Sequence, residues 1–346
     1  LNNLYRKQTL LFEKLLDNFN EATSNSCNVH KRYFKIGGQV ICLLFAGETL
    51  EKKLTPALNH LKVNTNDNPS LTICIWDSIT TKTLMIDAPW EIRDYNIHGK
   101  VNGYSNDRFQ TGVSMVSGAL SMVDFKNNIA VWWTHDAKNV TVYESANPFI
   151  AIFNWWFSTI GLHFMHAGAV GQTNGGALLL GTGGSGKSTT SIACIDSLLM
   201  YAGDDYCLIS EDEIPHVYSI YNTVKLDSRS IKLLYNINFS NNYAIRYTDK
   251  KVVYFINQIF PGKIIKQFPI KAVILPIVIG KGESSIKSIS SIEALKVIGP
   301  NTLFQFSGDK QRSFNAVVNL VKRISCYRLA IGHDIIEANR LISQVI

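Results

Sequence analysis

Ala177-Leu178-Leu179-Leu180 followed by Gly181-Thr182-Gly183-Gly184-Ser185-Gly186-Lys187-Ser188 decides how the rest of the chain reads. The second part fits the pattern G-x-x-x-x-G-K-[ST], with an apolar strand entering it and a helix-compatible run to about Met200 leaving it. Glycines at 181, 183, 184 and 186 suit a backbone that must approach phosphate oxygens closely, because a Cβ would stand in the way. In that reading the amides from Gly181 to Thr189 cradle a nucleotide, Lys187 reaches its β- and γ-phosphates, and Ser188 ligates Mg²⁺. The helix beginning there turns its positive end to the anion.

Asp204-Asp205 is the second signal. A protein that moves a phosphoryl group to a hydroxyl needs carboxylate near the metal and a group to take the hydroxyl proton. One helix separates Lys187 from Asp204, so the chain is expected to return to a neighbouring strand end on the same side as the cradle. Adjacent aspartates on an extended segment point to opposite faces. One can therefore serve the metal and the other the incoming hydroxyl, given a local turn, and either order fits the sequence. Beyond them, Lys225 and Arg229 lie on a segment expected to come back to this face, where either could neutralise phosphoryl charge. His163 and His166 stand three apart without a third ligand, which argues against zinc.

The 346 residues suffice for two domains with sizeable cores. A hydrophobic share of 46% against 18% charged describes a globular chain rather than a disordered one. The net charge of +7 is spread without a dense basic run, so it suits phosphates or an acidic substrate better than nucleic acid. Cys27, Cys42, Cys74, Cys194, Cys207 and Cys326 show no C-x-x-C spacing and sit mostly in apolar segments, as free thiols in a reducing compartment would. Charges interrupt the run from Leu4 to Phe19, and no long apolar window appears, so the expectation is a soluble cytoplasmic protein with no membrane partner.

Along the chain, Leu4, Leu11, Leu15 and Phe19 predict a leading amphipathic helix over residues 1–20, with a polar loop over 21–30. Gly37-Gly38 between two apolar runs predicts a hairpin, and short strands between turn signals continue to about residue 145. After Pro148 the pattern turns helical, through Phe149, Ile152, Phe153, Trp156 and Ile160, which sets the expected boundary. A strand is predicted over 166–171, an exit helix over 188–200 and a buried strand over 271–278. Thr302-Leu303-Phe304-Gln305-Phe306 is a candidate pocket lining, though ordinary core is the better reading.

Three pieces, His166-Ala167-Gly168, the loop Gly181 to Ser188, and Gly203-Asp204-Asp205, resemble in order and spacing the catalytic domain of HPr serine kinase/phosphorylase, which is similar in turn to the phosphoenolpyruvate carboxykinase core. This resemblance covers roughly residues 150–345. A narrower one, through Phe45-Ala46-Gly47, Cys74-Ile75-Trp76-Asp77, Gly118 to Asp124, Trp155-Trp156, Tyr201 to Cys207 and Lys225-Leu226-Asp227, is to HPr-kinase-like proteins encoded with lasso-peptide biosynthesis enzymes. The fold implied is α/β: a P-loop, HPr-kinase/phosphoenolpyruvate-carboxykinase-like catalytic domain over 149–346, behind a mixed, strand-rich N-terminal domain over 1–148 that would recognise substrate.

The activity implied is ATP- and Mg²⁺-dependent phosphorylation of a precursor peptide on its C-terminal serine. His166 would stand beside the transferring phosphoryl group, with Asp204, Asp205 and Lys187 as the other catalytic residues. Thr189 replaces the glutamate that HPr kinases usually carry, and the C-terminal motif of phosphorylase activity is missing. HPr itself is thus not the implied substrate. HPr-type kinases are hexameric, which points to a homo-oligomer. A kinase for a small-molecule hydroxyl, and a regulatory nucleotide-binding module without catalysis, remain the alternatives.

Overall fold

Gly37 and Gly38 take φ of 56° and 80°, the paired positive values of a two-residue hairpin turn, and join β1 (Val29–Ile36) to β2 (Gln39–Ala46). The structure, a computed structural model, describes residues 2–346 except 66–67, 97, 236, 240–243 and 304–309. Of the expected pocket segment 302–306, residues 304–306 lie outside the described residues, and 302–303 close the helix Ser291–Leu303. The chain divides into two compact units, Leu1–Trp156 and Phe157–Ile346.

In the first unit, β3 (Lys62–Val63), β4 (Leu71–Asp77), β5 (Phe109–Val113), β6 (Leu120–Asp124) and β7 (Ile129–Thr134) complete a sheet of order β3-β1-β2-β4-β7-β6-β5. The β2–β4 and β4–β7 pairs are parallel and the others antiparallel, so the sheet is mixed. A helix over Asn2–Ser26 lays Leu11, Phe12, Leu15 and Phe19 on it, against Trp76, Phe109 and Met122. Each fully buried side chain of this kind contributes about 1.5–3 kcal/mol. The helix runs past residue 20 into the stretch expected to be a loop. Ala22 is fully buried there, and the hydroxyls of Thr23 and Ser24 donate back to the Asn20 carbonyl, which lets polar residues stay helical.

The division between units falls within the helix Ile150–Thr159, later than the expected boundary at 148. The first turns of that helix belong to the N-terminal sheet. The indole of Trp156 donates to Asn128 at 2.8 Å, and Trp155 packs so closely on Gly112 that a Cβ there would come within 3.0 Å of the ring.

An ion pair anchors the far side of this sheet. Arg108 donates twice to Asp124, at 2.9 and 2.7 Å, and the Asp124 side chain is fully buried. Burial alone would raise the Asp124 carboxyl; Arg108 and the neighbouring N–H groups outweigh it and hold the carboxyl below its ordinary value. A depressed carboxyl stabilises the fold above the unfolded pKa, near 4, and that contribution is lost as pH falls through the lower folded value. Arg108→Met is expected to lower unfolding stability in urea by about 3 kcal/mol at neutral pH, with the gap from the unmodified protein narrowing below about pH 4. A gap that does not change with pH would show that the pair is not its source.

The second unit contains β8 (Leu162–Met165), β9 (Gly168–Gln172), β10 (Gly175–Leu179), β11 (Met200–Gly203), β12 (Cys207–Ser210), β13 (His216–Ser219), β14 (Thr223–Asp227), β15 (Ala244–Arg246), β16 (Lys251–Phe255), β17 (Gln267–Val278), β18 (Ser285–Ile289) and β19 (Ser325–Ile331). Among the described residues they form a sheet of order β11-β9-β10-β17-β13-β12-β8, with β19 paired to β17 and β18 to β19, and a smaller sheet β14-β16-β15. The long strand β17 runs parallel to β10 and to β19. Side chains alternate between two cores, Leu178, Val273 and Leu275 into one and Ala177, Leu179 and Ile274 into the other, so this part of the sheet is buried on both faces. All six cysteines are free, and all but Cys27 are buried. No helix among the described residues is long and apolar enough to cross a membrane.

Candidate active site

β10 delivers the glycine-rich loop, and the helix Lys187–Ala193 leaves it. Gly184 and Gly186 have φ of 82° and 102°. At Gly186 a side chain is also excluded by space, since a Cβ would lie 2.9 Å from Val278 and 3.1 Å from Ile331. At Gly183 and Gly184 a Cβ would meet no atom within 4 Å, so these glycines face open space into which a side chain would project. Thr182, Gly183 and Gly184 are exposed, whereas Lys187 is buried. Its ammonium donates to the loop's own carbonyls, Gly181 at 2.6 Å and Thr182 at 3.2 Å. Burial holds this ammonium below its ordinary pKa, with Asp204 and Asp205 pulling the other way.

The exit helix is shorter than expected. After Ala193 a 3-10 turn, Cys194–Asp196, ends it, and the Ser197 hydroxyl closes that turn by donating to the Cys194 carbonyl at 2.6 Å. The following strand, β11, is not the neighbour of β10: β9 lies between them, antiparallel to both. Gly168 on β9 makes the crossing feasible, because any Cβ there would overlap the Ser191 hydroxyl of the helix. β10 and β11 consequently point the same way, and the loop and Asp204-Asp205 emerge at one edge of the sheet.

At that edge the two acids separate. Asp204 is 1% exposed; its carboxylate accepts from the backbone N–H of Lys225 at 3.4 Å, and the nearby Ser188 hydroxyl favours its charged form. Its Oδ1 is buried and, among the described residues, has no hydrogen-bond partner. Burial first, and the Asp205 charge second, push the Asp204 carboxyl up to about 7. Asp205 is more open, and its carboxylate takes the Lys225 ammonium and lies 3.7 Å from His166 Nε2. Burial would raise this carboxyl too, but His166 and Lys225 overcome that and hold it well below the usual range.

Lys225 thus touches both acids, with its amide on Asp204 and its ammonium on Asp205. The register is fixed from β11, where the buried Tyr201 hydroxyl donates to the Thr223 carbonyl at 2.7 Å, two residues before Lys225 on β14. His166 sits between β8 and β9, just outside the strand expected to contain it. Its Nδ1 is buried and, among the described residues, has no hydrogen-bond partner, and its ring lies 5.9 Å from that of Tyr206.

Thr189 and His163 make other contacts. The Thr189 hydroxyl is engaged by Ser230 at 3.1 Å. Arg229 is exposed on the helix Ser228–Leu233 and, among the described residues, forms no ion pair with either acid. His163 pairs with Glu211 at 2.7 Å, away from His166. Tyr206 and Tyr247, whose rings flank the Lys225 ammonium, have no motif to announce them; only the position of Tyr206 next to Asp205 could have drawn notice.

No cluster of three or more His, Cys, Asp or Glu among the described residues could hold a metal. Mg²⁺ needs less, since it is commonly held by one or two carboxylates with phosphate oxygens and water. The Ser188 hydroxyl, the unpartnered Oδ1 of Asp204 and the nearby Asp205 fit that demand.

No family model matches the chain, and no curated protein matches it. Among solved structures, the HPr(Ser) kinase/phosphatase from Coxiella burnetii is similar at 12% identity with a TM-score of 0.29, covering 53% of this chain and 95% of that one.

Proposed function

We propose that this protein is an ATP-dependent phosphotransferase that moves the γ-phosphoryl group of ATP·Mg²⁺ to a serine hydroxyl. The observation that carries the reading is the placement of the acid pair beside the loop: Ser188 and Lys187 both act on the Asp204 carboxylate, and Lys225 bonds Asp204 through its amide and Asp205 through its ammonium. This is the juxtaposition that phosphoryl transfer requires. The peptide acceptor, with serine at its C-terminus, is supported by the resemblance of the sequence motifs to lasso-cluster kinases.

The roles then divide by contact. The loop amides and Lys187 bind the phosphates, and the ammonium would exchange the carbonyls of Gly181 and Thr182 for phosphate oxygens. Ser188 and Asp204 would hold Mg²⁺, which supplies charge neutralisation across the β- and γ-phosphates. Asp205 orients the acceptor hydroxyl and receives its proton. The bond from the γ-phosphorus to the ADP oxygen breaks, the serine oxygen bonds to that phosphorus, and ADP leaves with the electron pair.

Incubation with ATP, Mg²⁺ and a peptide ending in serine should add one phosphate's mass to the peptide, with ADP formed in equal amount. A peptide with alanine in that place should gain nothing. ADP release that no hydroxyl acceptor accelerates would contradict the proposal and leave a nucleotide-binding module.

A further inference from the structure

Lys225 is held in an unusual way for an ion-paired lysine. Its side chain is 10% exposed, and its ammonium meets Asp205 on one side. It also lies 5.9 Å from the centre of the Tyr206 ring and 5.2 Å from that of Tyr247. The two rings arrive from separate elements. Tyr206 follows Asp205 directly, on the way into β12. Tyr247 lies just beyond β15, where its N–H donates to the Lys251 carbonyl at 2.9 Å and so extends the pairing of β15 with β16. β16 in turn pairs with β14 with Lys225 opposite Val253, and Val253 also faces Ile245, two residues before Tyr247. Alternation along the strand puts Ile245 and Tyr247 on one face, the face that carries Lys225.

The geometry points to Tyr206 and Tyr247 as positioning residues that aim Lys225 at the phosphoryl group during its transfer; this rests on the phosphotransfer reading above. A lysine side chain is flexible and loses rotamer freedom when fixed. A second carboxylate could fix it, at the expense of its charge. Two ring faces fix it by quadrupole attraction and leave the charge in place. That charge is needed beside Asp205. There the acceptor oxygen approaches phosphorus, and negative charge spreads over the phosphoryl oxygens as the bond to ADP breaks and the bond to serine forms. Lys225 gives up no proton in this step, since the hydroxyl proton goes to Asp205. The competing explanation is a structural ion pair that only keeps Asp205 in place, and it makes no use of the rings.

The test compares Tyr247→Leu, Tyr247→Phe, Tyr206→Leu and Lys225→Met in the full chain. The readouts are affinity for Mg²⁺·ADP, affinity for Mg²⁺·ADP with aluminium fluoride as a mimic of the transferring group, and kcat and KM for peptide phosphorylation. The unmodified protein should bind the aluminium fluoride complex more tightly than Mg²⁺·ADP. Tyr247→Leu should lose roughly tenfold of that preference and of kcat, with Mg²⁺·ADP affinity, KM for ATP and thermal midpoint unmoved, while Tyr247→Phe keeps both. Lys225→Met should lose about a hundredfold. Tyr206→Leu gives a second reading should Tyr247→Leu prove unstable. Full preference and full kcat in both leucine variants would overturn the positioning role and leave the phosphotransfer reading standing. No preference for the aluminium fluoride complex in the unmodified protein would overturn that reading, and the positioning role with it.

Discussion

Asp205→Asn is expected to cut peptide phosphorylation by about 10²- to 10⁴-fold while Mg²⁺·ATP still binds within a few-fold of its normal affinity. The substitution keeps the shape of the side chain and removes the charge. Asp205 owes its low proton affinity to His166 and Lys225, which offset its burial, so it stays ionised and works mainly by orienting the hydroxyl, taking its proton as the bond to phosphorus forms. Asparagine can do neither. It also leaves the Lys225 ammonium without its carboxylate in a largely buried place, so thermal stability should be recorded alongside. Asp204→Asn should behave differently. Ser188 acts on the Asp204 carboxylate, so this change should act through the metal, raising the Mg²⁺ needed for nucleotide binding as well as lowering turnover. Single-turnover rates and Mg²⁺ titrations of nucleotide affinity separate the two. Identical behaviour of the two variants would show that the acids are not divided between metal and hydroxyl.

Lys187→Ala should reduce turnover by about 10²- to 10³-fold, the scale of losing one charged group at a developing negative charge, and should weaken nucleotide binding in parallel. The loop itself should survive. Among the described residues the ammonium bonds the carbonyls of Gly181 and Thr182, which lie next to exposed loop residues where water can take its place. The clearest readout is thermal. A ligand that binds only the folded protein stabilises it by RT ln(1 + [L]/Kd), about 2.7 kcal/mol at a hundred times Kd. The unmodified protein should therefore melt higher with Mg²⁺·ATP, and Lys187→Ala should melt near the same temperature with or without it. A variant that still gains the full shift would place the nucleotide away from this loop.

The sequence carried the loop and the acid pair because both are local. Eight consecutive residues specify the strand-to-helix turn, and two adjacent carboxylates one helix later specify its companion. It could not tell the acids apart. Asp204 and Asp205 differ through Ser188, His166 and Lys225, which reach them from three other elements and settle burial and charge only once the chain has folded. Nor could it give the strand order. The insertion of β9 between β10 and β11 depends on how closely the helix approaches Gly168, a packing property without a periodic signature. Arg229 and Lys225 look alike in the sequence, four apart on one segment. The strand ends after Asp227, so Lys225 keeps a strand orientation towards Asp205 while Arg229 turns outward on a helix. In the first unit the hairpin was legible from Gly37-Gly38. The length of the leading helix was not, because the hydroxyls that carry it through polar residues bond within the helix they extend.

The most direct measurement is a crystal structure with a non-hydrolysable ATP analogue and Mn²⁺ in place of Mg²⁺, using the anomalous signal to locate the ion. The proposed phosphotransfer requires the triphosphate on the amides of residues 183–188, with the ion bonded to the Ser188 hydroxyl and the Asp204 carboxylate and the terminal phosphate facing Asp205 and Lys225. A nucleotide seated away from the loop, or an ion beyond coordination distance of Ser188 and both acids, would contradict it.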